Sequence, residues 1–205
     1  MKENNLISRE DGYFLVRTAR KIVMEFLKYG HKIELERKFQ EKFSFKSGVF
    51  VTLNSPTGLR GCIGYPHPNK KLHDALEDAA IAAATEDPRF SPLKFEELAS
   101  ITFEVTVLTY PTTIEVQNPK EYLSKIKVGQ DGLIVKYGYN SGLLLPQVPI
   151  EYGWNVKKFL EHTCEKAGLP KEYWTRPEIE IKKFQGLVFK EQSPNGKIIQ
   201  EKLLD

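Results

Sequence analysis

The sequence predicts an α+β fold, an antiparallel sheet flanked by helices. Two observations point to it. Apolar residues recur at helical spacing in some segments and alternate with polar ones in others. Helical and strand segments also follow one another without the regular βαβ rhythm of a parallel sheet.

The first helix is marked by Ser8 as N-cap with Asp11 three residues on, and by an apolar stripe of Leu15, Ile22, Val23, Phe26 and Leu27. Gly30 supplies its left-handed stop. Leu35, Phe39 and Phe43 recur every four residues between Ile33 and Phe45, compatible with a second, short helix. Val49 to Leu53 and Leu59 to Ile63 read as two strands of a hairpin joined through Asn54 to Gly58. Pro66 and Pro68 break the chain, and Asn69 can cap a helix to about Thr85 with Leu72, Leu76, Ala79, Ala80 and Ala83 on one side. Phe95 to Leu98 is a candidate helical turn, and Ile101 to Val107 alternates cleanly as a strand. A short helix is expected over Pro119 to Lys125, and turn signals separate strands at Leu133 to Tyr137 and Leu143 to Leu145. A helix from about Gly153 to Gly168 carries Val156, Phe159, Leu160, Cys164 and Ala167 on one face. Two short strands, Glu178 to Ile181 and Leu187 to Phe189, complete the β content.

Composition narrows the class. A chain of 205 residues with 40% hydrophobic and 28% charged residues has enough apolar surface for a real core. No apolar run nears the roughly 20 residues of a membrane span, and the first residues lack a signal-peptide core. Two cysteines cannot make a disulfide framework, so a cytoplasmic, reducing environment is expected. A net charge of +3 gives nucleic-acid binding no support, and the clusters Arg17-Arg20-Lys21, Lys120-Lys125-Lys127, Lys157-Lys158 and Lys182-Lys183 read as solvated faces. No Walker loop, zincin helix or nucleophile elbow is present, and no cofactor is expected.

The stretch Gly58 to Gly64 stands out. Alternation along a strand places Leu59 and Ile63 on one face, expected to be the core, and Arg60 and Cys62 on the other. Gly61 and Gly64 leave room for a ligand or another backbone. An arginine beside a thiol favours the thiolate, the form a nucleophile needs. The competing reading is structural: a buried free cysteine and glycines at a bulge. On the strand at Ile101 to Val107, Glu104 falls on the polar side with Thr102 and Thr106, where it could pair with Arg60, act as an acid or base beside Cys62, or simply face solvent. His67 and His73 follow Cys62 at spacings that match no standard zinc arrangement, so no metal site is expected. Tyr137, Tyr139, Tyr152 and Trp154 are aromatics able to stack a ring or to pack.

Leu59-Arg60-Gly61-Cys62-Ile63-Gly64 resembles the six-residue signature of the AMMECR family. The likeness continues in Gly48 to Leu53, Asp87 to Pro92, Leu144 to Val148, Glu151 to Trp154, Cys164 to Leu169 and Trp174, and so covers nearly the whole chain. The resemblance implies one domain over residues 1–205, built as two unequal lobes with a cleft between them. The larger lobe would hold both termini, and the smaller would be an insertion at about residues 112–149. It implies no accepted reaction. It does imply MEMO-family and radical-SAM proteins as partners, since these accompany the family in microbes. The functional expectation is a modifying or hydrolytic enzyme using Cys62, Arg60 and Glu104, with Gly61, Gly64, Arg89 and Gln147 contacting ligand. A non-catalytic module or adaptor that binds ligand, protein or nucleic acid is the alternative. No feature assigns an oligomeric state or a membrane.

Overall fold

The structure is a computed structural model and describes residues 7–201. The chain divides into two compact units. One runs up to Thr109 and takes in the chain again from Leu187; the other is Tyr110–Gly186.

The first unit begins with α1 (Arg9–Tyr29). The Ser8 hydroxyl accepts from the Asp11 N–H, the Asp11 carboxylate accepts from the Ser8 N–H, and Gly30 closes the helix at φ 75°. The short helix α2 (Arg37–Lys42) follows. β1 (Val49–Ser55) and β2 (Gly58–Tyr65) form the expected hairpin, with a register shift between Leu53 and Asn54. α3 spans Leu72–Thr85, with Lys71 rather than the expected Asn69 at its N-cap. The reason is tertiary: its first free N–H groups, Leu72 and His73, donate to the carbonyls of Phe45 and Phe43 rather than to a local cap.

β3 (Thr102–Leu108) lies antiparallel to β1, so the sheet order is β2-β1-β3-β7, with β8 (Ile198–Glu201) beside β7 (Glu180–Glu191). α1 and α3 cover one face of this sheet. Leu15, Ile22, Leu72 and Leu76 pack there with Val49, Val51, Leu53, Phe103 and Val105, all shut off from solvent. Each such side chain contributes roughly 1.5–3 kcal/mol. Arg20 ties α1 to the sheet: its guanidinium donates to Glu191 and to the Ile101 carbonyl, and lies 4.5 Å over the Phe103 ring. Glu191, itself 5% exposed, also accepts the Phe103 N–H.

In the second unit β5 (Asp131–Tyr137) pairs on one side with β6 (Asn140–Leu144) and on the other with the first half of β7. β4 (Thr112–Thr113) also pairs with β7. Leu133, Val135 and Ile181 form its core with Phe159, Leu160 and Cys164 of α6 (Val156–Lys166). The buried Asp131 carboxylate is held by the Lys127 N–H, the Gln185 amide and the Lys183 ammonium. α4 (Tyr122–Lys125) and α5 (Val148–Glu151) are single turns, and this unit continues past Pro149 through α6 into β7. The two strands expected at Glu178 to Ile181 and Leu187 to Phe189 are therefore one continuous strand, β7.

Candidate functional site

Three strands align the residues of interest in one row. Thr52 on β1 stands opposite Cys62 on β2 and, on its other side, opposite Glu104 on β3. Val51, Leu53, Phe103 and Val105 point into the helix-covered core, so alternation sends Thr52 and Glu104 to the other face. The Thr52 hydroxyl donates to the Cys62 sulfur at 3.3 Å. Cys62 is half-buried, as is Glu104. Burial pushes the Glu104 carboxyl above its ordinary value, and the nearby Glu201 charge adds to this while Lys190 opposes it. Its side chain makes no hydrogen bond among the described residues.

The edge of β2 is capped by side chains. The Cys62 N–H donates to the Asp87 carboxylate at 2.8 Å, and the Arg89 guanidinium reaches the Cys62 carbonyl at 3.4 Å. Backbone groups of an edge strand that would otherwise lack partners are thus satisfied by the loop after α3. Asp87 is 4% exposed and also accepts from the Arg89 N–H and guanidinium. The Arg89 guanidinium, followed by these backbone donors, holds the Asp87 carboxyl far below the usual carboxylate range against the opposing effect of burial. Arg89 therefore both ties its loop to a carboxylate and lies beside the Cys62 strand.

Several expectations need correction. Arg60 does not attend the thiol. Its guanidinium is held by both carboxylate oxygens of Glu97 at 3.0 Å and by the Ser91 carbonyl. The room at the glycines is filled by the protein itself. A Cβ on Gly61 would lie 2.0 Å from the Ala83 carbonyl oxygen of α3, and one on Gly64 would lie 2.4 Å from the Phe50 ring across the hairpin. At Gly61 another backbone does come close, one of the two occupants expected there, and at Gly64 the Phe50 ring takes the room. Leu59 is 40% exposed, because it lies beyond the register shift near the hairpin end, whereas Ile63 does pack on the core.

Gln147 lies in the second unit, exposed, at the start of α5. His67 is exposed, and the buried His73 has its Nδ1 3.2 Å from Asp74. No cluster of three or more potential metal ligands occurs among the described residues. Tyr152, Trp154 and His162 stack on one another in the second unit, while Tyr137 packs edge-on against Tyr173. Thr52 is the member of the row that sequence reasoning missed. The signal was present: pairing the two predicted strands places this lone polar side chain across from Cys62.

Cys164 is fully buried on α6, and burial pushes its thiol up to about 11. Iodoacetamide at neutral pH should leave it unmodified in the native protein and label it only after denaturation, as peptide mapping would show.

Among the described residues no helix is long and apolar enough to cross a membrane. The AMMECR1 family model matches residues 16–189. The chain is 50% identical to Protein MJ0810 of Methanocaldococcus jannaschii over 97% of this chain and 99% of that one. It is 48% identical to Protein MK0488 of Methanopyrus kandleri, covering 97% of each. The crystal structure of protein PH0010 from Pyrococcus horikoshii superposes with a TM-score of 0.79 at 48% identity, over 97% of this chain and 100% of the other.

Proposed function

The chain belongs to the AMMECR1 family, and we propose that it is a hydrolytic or acyl-modifying enzyme with the Cys62 thiol as nucleophile. The observation that carries this reading is the register that sets Cys62, Thr52 and Glu104 side by side on the face turned away from α1 and α3. The Thr52 hydroxyl donates to the sulfur and fixes its position on this face. The sulfur attacks the carbonyl carbon of an ester or thioester, a C–S bond forms, and the leaving group departs with the thiol's proton. Water then attacks the acyl carbon, the C–S bond breaks, and Glu104 passes the water's proton back towards the sulfur.

Two inter-strand steps separate the Cα atoms of Cys62 and Glu104 by roughly 10 Å, with Thr52 between them, so an acyl group on the sulfur and its attacking water would lie over the Thr52 side chain. A carboxyl whose proton is held more tightly than usual suits that shuttle. Thr52 acts through the sulfur and is a positioning residue. Arg60 has no part in this scheme, its guanidinium being committed to Glu97.

p-Nitrophenyl acetate tests the scheme. A burst of nitrophenolate equal to the protein concentration should precede a slow steady phase. Cys62→Ser should abolish the burst. Glu104→Gln should keep it and slow the steady phase about 100-fold. A burst that survives in Cys62→Ser would overturn the reading.

A further inference from the structure

Glu104 and Arg89 flank Cys62 on opposite sides. Glu104 lies two strands inward, on β3, beyond Thr52. Arg89 lies at the outer edge of β2, where its Nη2 is 3.4 Å from the Cys62 carbonyl oxygen.

The way Arg89 is held decides what it can do. Its Nε and Nη2 donate to the two oxygens of Asp87 at 2.9 and 2.7 Å, and its backbone N–H donates to the same carboxylate at 3.1 Å. The Phe90 ring centre lies 5.5 Å from the guanidinium carbon. Asp87 is 4% exposed and also anchored by the Cys62 N–H, whereas the Arg89 side chain is 54% exposed. The ion pair is therefore directional, with its negative half buried and its positive half facing solvent. Nη1 donates to no group among the described residues. A guanidinium with one edge fixed on a buried carboxylate and Nη1 open is a pre-ordered receptor for a second anion. The Asp87 hydrogen bonds hold the Arg89 proton more tightly than usual against the opposing effect of burial, and the charge on Cys62 adds to this. Guanidinium and sulfur are thus within electrostatic reach of each other.

Resting on the reading of Cys62 as nucleophile, we infer that Arg89 selects acyl groups that carry a carboxylate, the monoesters or monothioesters of short dicarboxylic acids. Water reaches the acyl carbon from the Glu104 side, over Thr52, where the leaving group has departed. The far end of the acyl chain therefore turns the other way, towards the edge of β2. A carboxylate there meets Nη1, whereas one on the leaving group would be repelled by Glu104.

Iodoacetate and iodoacetamide test the selection. Each forms a C–S bond by displacing iodide, and the two differ in carrying a carboxylate or an amide. The ratio of their rates at Cys62 cancels the thiolate fraction, and no hydrolysis is needed. The urea-unfolded chain gives the reference ratio. In the native full chain, read by peptide mapping, the ratio of iodoacetate to iodoacetamide should be about tenfold higher. Salt at about 0.5 M should lower it towards the reference. Arg89→Gln, whose amide can still donate to Asp87, should return it to the reference. Arg89→Lys should do the same, since its single ammonium is drawn onto Asp87 and leaves no second edge. Circular dichroism checks that each variant keeps the fold. A native ratio equal to the reference, a ratio unchanged in both variants, or protection of Cys62 from both reagents would each overturn the inference. A nitrophenyl acetate burst without the iodoacetate preference would remove the role of Arg89 and leave the nucleophile. The preference without a burst would keep the anion site and remove the hydrolytic reaction.

Discussion

Replacing Gly61 with alanine should destabilise the protein by about 3 kcal/mol, the upper end of what overpacking costs. The added methyl would fall 2.0 Å from the Ala83 carbonyl oxygen and 3.1 Å from its carbon. Both are backbone atoms of α3, a helix buried through Leu72, Leu76, Ala79 and Ala80, so no flexible side chain is there to swing aside. Either α3 or β2 must move, and β2 is fixed by its ladder to β1. For a chain of this length the loss corresponds to a fall in Tm of roughly 6–12 °C. Urea unfolding of the two proteins measures it directly. A loss under about 1 kcal/mol would mean that strand and helix do not meet at Gly61 as described.

Asp87→Ala should cost about 3 kcal/mol, the lower end of the range for breaking a buried charged pair. The carboxylate is almost fully buried and receives the Cys62 N–H and three donors of Arg89. Its removal strands the Cys62 N–H at the sheet edge. The Arg89 side chain is 54% exposed and recovers water, which keeps the loss from being larger. The pH dependence has a definite sign. The folded carboxyl is held well below its unfolded value near 3.9. Its contribution is therefore fully present above that value and is lost as pH falls through the folded one. The stability gap between the wild type and Asp87→Asn should stay constant from neutral pH to about pH 4 and close only below it. A gap that narrows already between pH 7 and 5 would contradict the Asp87 assignment.

Local signals carried much of the fold. The Ser8–Asp11 capping box, the pairing of the two hairpin strands and the alternation through Phe103 and Val105 were legible, but the connection expected over Asn54 to Gly58 is only Pro56-Thr57, since Asn54, Ser55 and Gly58 join the ladder. The misreadings have long-range causes. α3 begins at Leu72 because carbonyls of Phe45 and Phe43, distant in sequence, take its first N–H groups. β7 hides its continuity because it changes partners midway. Lys182, Lys183 and Gln185 face β5, after which Val188 to Glu191 pair with β8, so no single apolar rhythm runs through it. β8 was not anticipated at all.

At the candidate site, period two set Cys62 and Glu104 each on the side away from the core, and the pairing of β1 with both strands makes these one face. The partners did not follow from period two. Arg60 is claimed by Glu97, thirty-seven residues away, and Cys62 is anchored by Asp87 from a loop whose path only the folded chain defines. Glycines that read as space for a ligand or another backbone are filled by the α3 backbone at Gly61 and by the Phe50 ring at Gly64.

The most direct test of the Cys62 chemistry is to locate a trapped acyl group. Glu104→Gln, which should form the acyl-enzyme but release it slowly, is mixed with p-nitrophenyl acetate, quenched in acid, digested and mapped by mass spectrometry. The account predicts one acetyl group on the peptide carrying Cys62 and none on Cys164. Acetylation confined to lysines, or a Cys62 peptide that stays unmodified while nitrophenolate is released, would contradict it.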